Sequence, residues 1–370
     1  MLGRLVNLRG LSLTTWQWLK QSKLKNKKRY YQQPNFKDNK VWELEPKGLN
    51  KELHSLYPGQ EDIKGQPAFM ALIPKGRVWG ANGAIITPDN QLLWDVSKEY
   101  FKKPKDHSYF QQKSLPPLKK TSGTVAVLTY EFSPIYYHWM FDVLPRLALL
   151  EHFNSKVDKY VFNCHNLPFQ QETLALLGIP KEKVITTHRR LHLQAKNLLV
   201  TFRGSYSWCM PLWCCQFLRD RFLVYKDPKQ FPDKKRIFIS REHARARKVL
   251  NEEEMMTLLE DYGFTKVTLE SLTVVEQINL FANVEVVISP HGSGLSNLVF
   301  SNPGIKVLEL LAPSYIHFCF WVLSNHMQHD YYYLVGKGDL VLDEPAHYHY
   351  KDDILVDLNK LKTMLKMMKL

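Results

Sequence analysis

Val286-Val287-Ile288-Ser289-Pro290-His291-Gly292-Ser293-Gly294-Leu295-Ser296-Asn297 is the stretch on which the reading of this chain turns. Its β-branched start is that of a buried strand. The run breaks at Pro290 into a turn with two glycines, and a short apolar helical pattern follows. Glycine at 292 and 294 lets backbone come close to a ligand, and the first turn of a helix points unpaired N–H groups at it. A protein can hold a phosphate in this way without using a side chain. A G-x-G turn alone is as much the mark of an ordinary tight turn, so the surrounding pattern has to decide.

That pattern alternates. Ile237-Phe238-Ile239-Ser240 reads as a buried strand, and Asn251 with Glu254 has the spacing of a capping box. Met255, Leu258, Leu259 and Tyr262 follow at helical spacing, with Gly263 as the stop. Val267-Thr268-Leu269 is the next strand; Thr273 and Glu276 give a second capping box ahead of Val274, Val275, Ile278, Phe281 and Ala282. Val284–Ser289 and, after the Ser301-Asn302-Pro303-Gly304 turn, Lys306–Leu311 complete the series. Apolar strands alternating with helices predict a parallel sheet covered on both faces, with ligands at the carboxyl ends of its strands. His291 with its glycines lies at such an end, and so does Arg241.

Ile239-Ser240-Arg241, Arg247-Lys248-Val249-Leu250-Asn251, Pro290 through Asn297, and Asn302-Pro303-Gly304 leading to Leu308-Glu309-Leu310 stand in one order along the chain. Upstream comes Tyr136-Tyr137-His138-Trp139-Met140-Phe141-Asp142-Val143-Leu144-Pro145-Arg146-Leu147. As a set, over about residues 69–335, these motifs resemble glycosyltransferase family 61. Ser293 and Ser296 stand where that family more often has Ala and Thr, both small exchanges. The resemblance implies a GT-B-like α/β architecture, two Rossmann-like domains facing across a cleft. It also implies inverting transfer of a sugar from a nucleotide-sugar donor to a glycan or glycoconjugate acceptor, as in polysaccharide synthesis. The alternative is a non-catalytic nucleotide- or glycan-binding protein on the same fold.

Composition agrees. The 370 residues suffice for two domains with cores of their own. No apolar run approaches the roughly 20 residues that span a bilayer. Five cysteines, with no C-x-x-C among Cys209, Cys214 and Cys215, predict neither a disulfide framework nor a zinc site. A reducing, cytoplasmic setting is expected. The net charge of +14 suggests nucleic acid until its distribution is read: residues 1–40 hold ten Lys and Arg against Asp38 alone. The body is nearly balanced and shows no basic face with interleaved aromatics, which excludes nucleic acid as the expected partner. The N-terminal segment pairs Leu11, Leu13, Trp16, Trp18 and Leu19 with basic residues, a composition suited to peripheral contact with the inner face of an anionic membrane. A helix packed onto the neighbouring domain has the same signature.

The expected divisions are 1–65, a basic, partly apolar segment; 66–205, an acceptor domain; 206–345, a nucleotide-sugar domain; and 346–370, a helical tail. The junction is expected near Gly204–Pro232, with Trp208, Trp213 and the cysteines packed there. In the first domain, short strands are expected at Arg77–Trp79, Gly83–Thr87, Gln91–Trp94, Val125–Leu128, Tyr160–Phe162, Val184–Thr186, Leu191–Leu193 and Leu198–Phe202. A hairpin turns at Pro88-Asp89-Asn90, and a helix over about 169–177 is stopped by Gly178.

His138 and Asp142, four apart, share a helical face, and Pro145 predicts a kink or end just beyond them. Inverting transfer needs a base for the acceptor hydroxyl. Asp142 can be that base with His138 orienting the acceptor, or His138 can be the base with Asp142 fixing its tautomer. Asp142 is preferred, because a carboxylate is ionised at neutral pH without a special environment. On the donor side no D-x-D occurs anywhere in the chain. The leaving diphosphate is therefore expected to be met by Arg241, with Arg245 and Arg247 as further candidates, and by helix N–H groups rather than by a metal or other cofactor. His291, Gly292, Ser293, Gly294 and Leu295 would line the pocket and Ser296 and Asn297 add hydrogen bonds. Glu309, an acid inside an apolar run, would accept from the ribose.

Overall fold

The computed structural model describes residues 10–36, 44–49, 53, 67–153, 156–204, 209–227, 229–340 and 351–370. Arg4, Arg9, Lys37, Lys40, Trp208 and most of the polar stretch before residue 66 lie outside the described residues. The chain forms two compact units, Met1–Lys37 with Gly65–Ser205 and Asp38–Lys64 with Tyr206–Leu370, each with its own sheet.

The second unit is the simpler. Its six strands are all parallel, in the order Thr265–Val267, Arg236–Ile239, Val286–Pro290, Lys306–Leu311, Asp330–Val335 and Lys47–Gly48. Numbered along the chain from Arg236, the first five run 2-1-3-4-5, so chain direction across the sheet reverses between the first strand and the third. Phe238, Ile288, Leu308 and Leu334 form one core layer with Met255, Met256 and Leu259 of the helix Glu252–Glu260. Leu361, Met364 and Leu365 of the helix Leu358–Met367 join that layer, so the expected tail is part of the unit. Ile237, Val287 and Val307 alternate to the other face. Buried helices Val274–Asn283 and Cys319–Met327 connect strands of this sheet.

The capping box at Thr273 and Glu276 is present, with Glu276 N–H on Thr273 Oγ1 at 3.2 Å and Thr273 N–H on Glu276 Oε2 at 2.8 Å. The one expected at Asn251 is not. Its side chain is taken by the backbone of Val356, at 3.0 and 2.9 Å, a non-local bond that ties down the C-terminal segment.

The first unit is mixed rather than wholly parallel. His192–Phe202, Lys119–Val127, Lys159–Phe162 and Val184–Thr186 are parallel neighbours in that order. On its other side His192–Phe202 pairs antiparallel with Phe69–Pro74 and Arg77–Trp79, and the sheet continues antiparallel through Ala84–Ile86 to Leu92–Leu93. The turns there, such as the one holding Asn90 at φ 66°, are too short for the crossover that parallel pairing needs. Leu191–Leu193 and Leu198–Phe202, read as two strands, belong to one. A register shift between Ala195 and Asn197 breaks its alternation.

The N-terminal helix Thr15–Gln21 is part of this unit. Trp18 and Leu19 enter the core with Val78, Ile85 and Val125, and the Trp18 indole N–H donates to Asp89 at 2.9 Å. Leu11 pairs with Leu92, and Trp16 packs on Tyr31 at 4.9 Å. Of the apolar residues read as membrane-facing, Leu11, Trp16, Trp18 and Leu19 pack within this unit, whereas Leu13 is exposed. No helix among the described residues is long and apolar enough to cross a membrane. None of the five cysteines is in a disulfide.

Candidate active site

In the first unit the site begins where Tyr136–His138 passes from an α-helical turn into a π-turn, Trp139–Val143, closed by Leu144 N–H on Trp139 O at 3.0 Å. Pro145 then opens the helix Arg146–Glu151, the break that its ring predicts. Insertions of this kind are frequent at functional positions, because the widened turn re-aims the side chains on it. Trp139 anchors it, fully buried, through its indole N–H on Thr173 at 2.8 Å.

His138 Nδ1 lies 2.7 Å from Asp142 Oδ2, and Arg203 Nη2 lies 2.7 Å from Asp142 Oδ1. Both carboxylate oxygens are engaged, and Asp142 is 3% exposed. Arg146, also buried, donates from Nε to the backbone oxygen of Asp142 at 2.7 Å and from Nη2 to Thr129 O at 2.7 Å. Burial lowers the Arg146 guanidinium to about 10, while Asp142 acts the other way. The His138 side chain keeps 20% exposure, among the rings of Tyr130, Phe132 and Tyr137 at 5.2–5.5 Å. With Nδ1 on the carboxylate, Nε2 is the ring atom left to act. The preference for Asp142 as the free base does not fit this geometry: it faces two buried guanidinium groups, and the group with an open edge is the imidazole.

In the second unit, Arg241 and His291 stand at the carboxyl ends of the first and third strands, the switch point where open α/β sheets bind ligands. Arg241 donates from Nη2 and Nε to Ala246 O at 2.9 and 3.3 Å, closing the loop that carries Arg245 and Arg247. Its guanidinium, desolvated and beside Arg247, is pushed down to about 10. Arg247 sits at φ 55°, donates from Nε to His291 O at 2.9 Å, and lies 5.1 Å over the Tyr315 ring. Arg245 is exposed.

Gly292 has extended backbone; what demands glycine is room, since a Cβ there would stand 2.1 Å from Arg241 Nη1. At Gly294 a Cβ would meet Leu269 Cδ1 at 2.8 Å. Both glycines are thus explained by protein neighbours. A 3₁₀ helix, Ser293–Phe300, starts here. Ser293 is half-buried, and Ser296 Oγ is buried with no hydrogen-bond partner. Leu295 and Asn297 belong to the core. Leu295 is fully buried, and the Asn297 amide donates to Gln277 Oε1 at 2.7 Å and to Gly294 O at 3.1 Å.

Glu309 departs furthest from its expected role. It is 0% exposed, with Oε1 2.5 Å from His291 Nδ1 and Oε2 accepting from Tyr331 Oη at 2.5 Å. Both oxygens are spent inside the protein, so no ribose hydroxyl can reach them. Burial raises Glu309 to about 8 and holds His291 well below the usual imidazole range, with Arg247 and Arg241 adding to the latter. His291, His317 and Cys319 place one donor atom each within 4.8 Å of one another. The set suits a cation poorly. Two guanidinium groups act on His291, and burial raises the Cys319 thiol away from thiolate. Two arginines, an imidazole and helix N–H groups meet at this switch point, and their chemistry suits an anion rather than a cation.

Sequence reading missed Arg146, Arg203 and Tyr331. Arg146 was four residues past Asp142, the spacing already used for His138. Arg203 and Tyr331 carry no local signal, since one follows the strand His192–Phe202 and the other lies in the strand Asp330–Val335.

One unit thus gathers two arginines and a paired imidazole at the carboxyl ends of a parallel sheet, and the other keeps a paired imidazole on a π-turn. Residues 136–308 match the model of the family described as Glycosyltransferase 61, so over that stretch the chain is similar to this family. The class of activity that goes with it is glycosyl transfer. The match takes in His138, Asp142, Arg241, Arg247 and His291, and stops one residue short of Glu309. No curated protein matches the chain.

Proposed function

We propose that the protein is an inverting, metal-independent glycosyltransferase with a GT-B-like pairing of its two units. It moves a sugar from a nucleotide-sugar donor to a hydroxyl of a glycan or glycoconjugate acceptor in polysaccharide or glycoconjugate synthesis. The observation that carries the reading is the Arg203–Asp142–His138 series inside the matched stretch. The Asp142 carboxylate, held by Arg203, keeps the proton of a neutral imidazole on Nδ1, which leaves Nε2 to take the acceptor proton as the hydroxyl attacks the anomeric carbon. The nucleoside diphosphate departs as an anion, and Arg241, His291 and the N–H groups after Gly292 meet its charge.

A panel of nucleoside diphosphates and nucleotide sugars in thermal denaturation tests the donor half. A ligand at 100 times its dissociation constant stabilises by about 2.7 kcal/mol. Transfer, or donor hydrolysis in the absence of an acceptor, should accompany binding and persist in excess EDTA. Binding with neither reaction would favour a non-catalytic binding protein. Loss in EDTA that Mn²⁺ restores would overturn the metal-independent assignment.

A further inference from the structure

We infer that Glu309 and His291 share one mobile proton, and that a diphosphate bound beside His291 draws it from Glu309 Oε1 to His291 Nδ1, so that an imidazolium meets the leaving group. This rests on the nucleotide reading above and deepens it. The geometry allows the transfer: the two atoms are 2.5 Å apart, Glu309 is fully enclosed, and the Tyr331 hydroxyl on Oε2 at 2.5 Å is placed to stabilise the carboxylate that results. One O–H bond breaks, one N–H bond forms along the same hydrogen bond, and no proton is exchanged with water.

Before an anion binds, the pair keeps its proton on the acid. Glu309 is raised to about 8 by burial and His291 is lowered, so at neutral pH the carboxyl donates to Nδ1 and the imidazole carries its own proton on Nε2. The groups around His291 explain why. Arg241 and Arg247 reach it from the loop after Arg236–Ile239, Tyr315, His317 and Cys319 come from the segment entering the helix Cys319–Met327, and Glu309 comes from its own strand. The charged neighbours on the ligand side are cations, and they oppose an imidazolium until an anion arrives. A diphosphate reverses that sign. Glu309 is then a positioning residue that acts through His291.

The pair makes binding depend on pH in a defined way. Below about 8 it already holds its proton, and affinity is indifferent to it. Above that value the pair without an anion loses the proton, and binding must recover one from solvent. Affinity then falls by up to tenfold per pH unit, the limit for one linked proton. Calorimetric titration with UDP and GDP, whose own phosphates are ionised above about pH 7, should show this fall in the wild-type protein and a flat profile in Glu309→Gln. In the wild type itself, ¹⁵N spectra of histidine-labelled protein should carry the His291 ring from its neutral to its imidazolium pattern when UDP or GDP saturates it, with His291→Gln supplying the assignment. A wild-type affinity flat through pH 8 to 9, or a ring that stays neutral with nucleotide bound, overturns the inference and leaves the nucleotide site standing. Binding of neither nucleotide overturns that reading and this one together.

Discussion

His138 meets Asp142 at 2.7 Å and His291 meets Glu309 at 2.5 Å, each through Nδ1, yet the two pairs sit in opposite surroundings. Asp142 receives a guanidinium, Arg203 Nη2 at 2.7 Å, whereas Glu309 receives only a phenol hydroxyl. His138 opens to solvent among aromatic rings, whereas His291 is closed in beside two arginines. A carboxylate backed by a cation can hold an imidazole ready to accept a proton. A carboxyl group buried without one keeps its own proton and has it to give. In the function proposed above, the same two functional groups do base work in one unit and receive charge in the other, with the third partner making the difference.

The largest expected effect tests the first half of that contrast. His138→Asn removes the base and should cost about 10²–10⁴-fold in transfer rate, with donor affinity unchanged. Asp142→Asn should also slow transfer, since the amide no longer holds the Nδ1 proton. If His138→Asn keeps near-wild-type turnover while Asp142→Asn is inactive, the base is Asp142 after all.

Arg203→Ala tests the third partner. It leaves Asp142 enclosed without its cation, and removing one member of a buried ion pair typically costs about 3–5 kcal/mol. Urea unfolding should register that loss. A cost below about 1 kcal/mol would mean that Arg203 does not hold Asp142.

These two predictions also divide what the sequence made legible. The parallel sheet could be read, because its strands are continuous apolar runs and its helices are amphipathic with their own stops. Thr273 with Glu276 and Gly263 are local devices that work as written. His138 with Asp142 was legible because the contact spans a single helical turn. Arg203, Tyr331 and the partner of Asn251 were not, because each bond joins elements far apart in the chain. Glu309 stands out in the sequence as an acid in an apolar run, but the partners of its two oxygens come from a neighbouring strand and the glycine turn, not from a ligand. The mixed sheet of the first unit shows the same limit. Pairing direction follows from turn length, while the bulge in His192–Phe202 hides one strand as two. The strand Asp330–Val335 and the helix before it gave no clear period to read.

A smaller effect is expected on the anion side. Arg241→Ala should weaken nucleoside diphosphate binding by about 1.5–3 kcal/mol, the usual worth of a charge-assisted hydrogen bond, and spare the fold. Gly292→Ala should act in the same direction by displacing that guanidinium, since its Cβ would stand 2.1 Å from Nη1. Calorimetry that finds both variants equal to wild type would remove Arg241 from the site.

The smallest effect separates the two pairs most finely. Tyr331→Phe removes the hydroxyl that reaches Glu309 Oε2 and should cost about 0.5–1.5 kcal/mol of stability, the net worth of one hydrogen bond. Its pH dependence carries the information. The folded-state value for Glu309 is raised to about 8, so its contribution to stability is full below the ordinary carboxylate range and is lost as pH rises through that value. His291, shifted downward, acts with the opposite sign and only at lower pH, so the window to watch lies above about pH 6.5. There the hydroxyl favours the ionised carboxylate, and taking it away raises Glu309 further. The stability gap between wild type and Tyr331→Phe should therefore widen from neutral pH to about pH 9, read as the difference between two chemical-denaturation curves. A gap that is constant or narrows with pH would mean that Glu309 is already ionised at neutral pH, and the two pairs would then be alike in charge as well as in geometry.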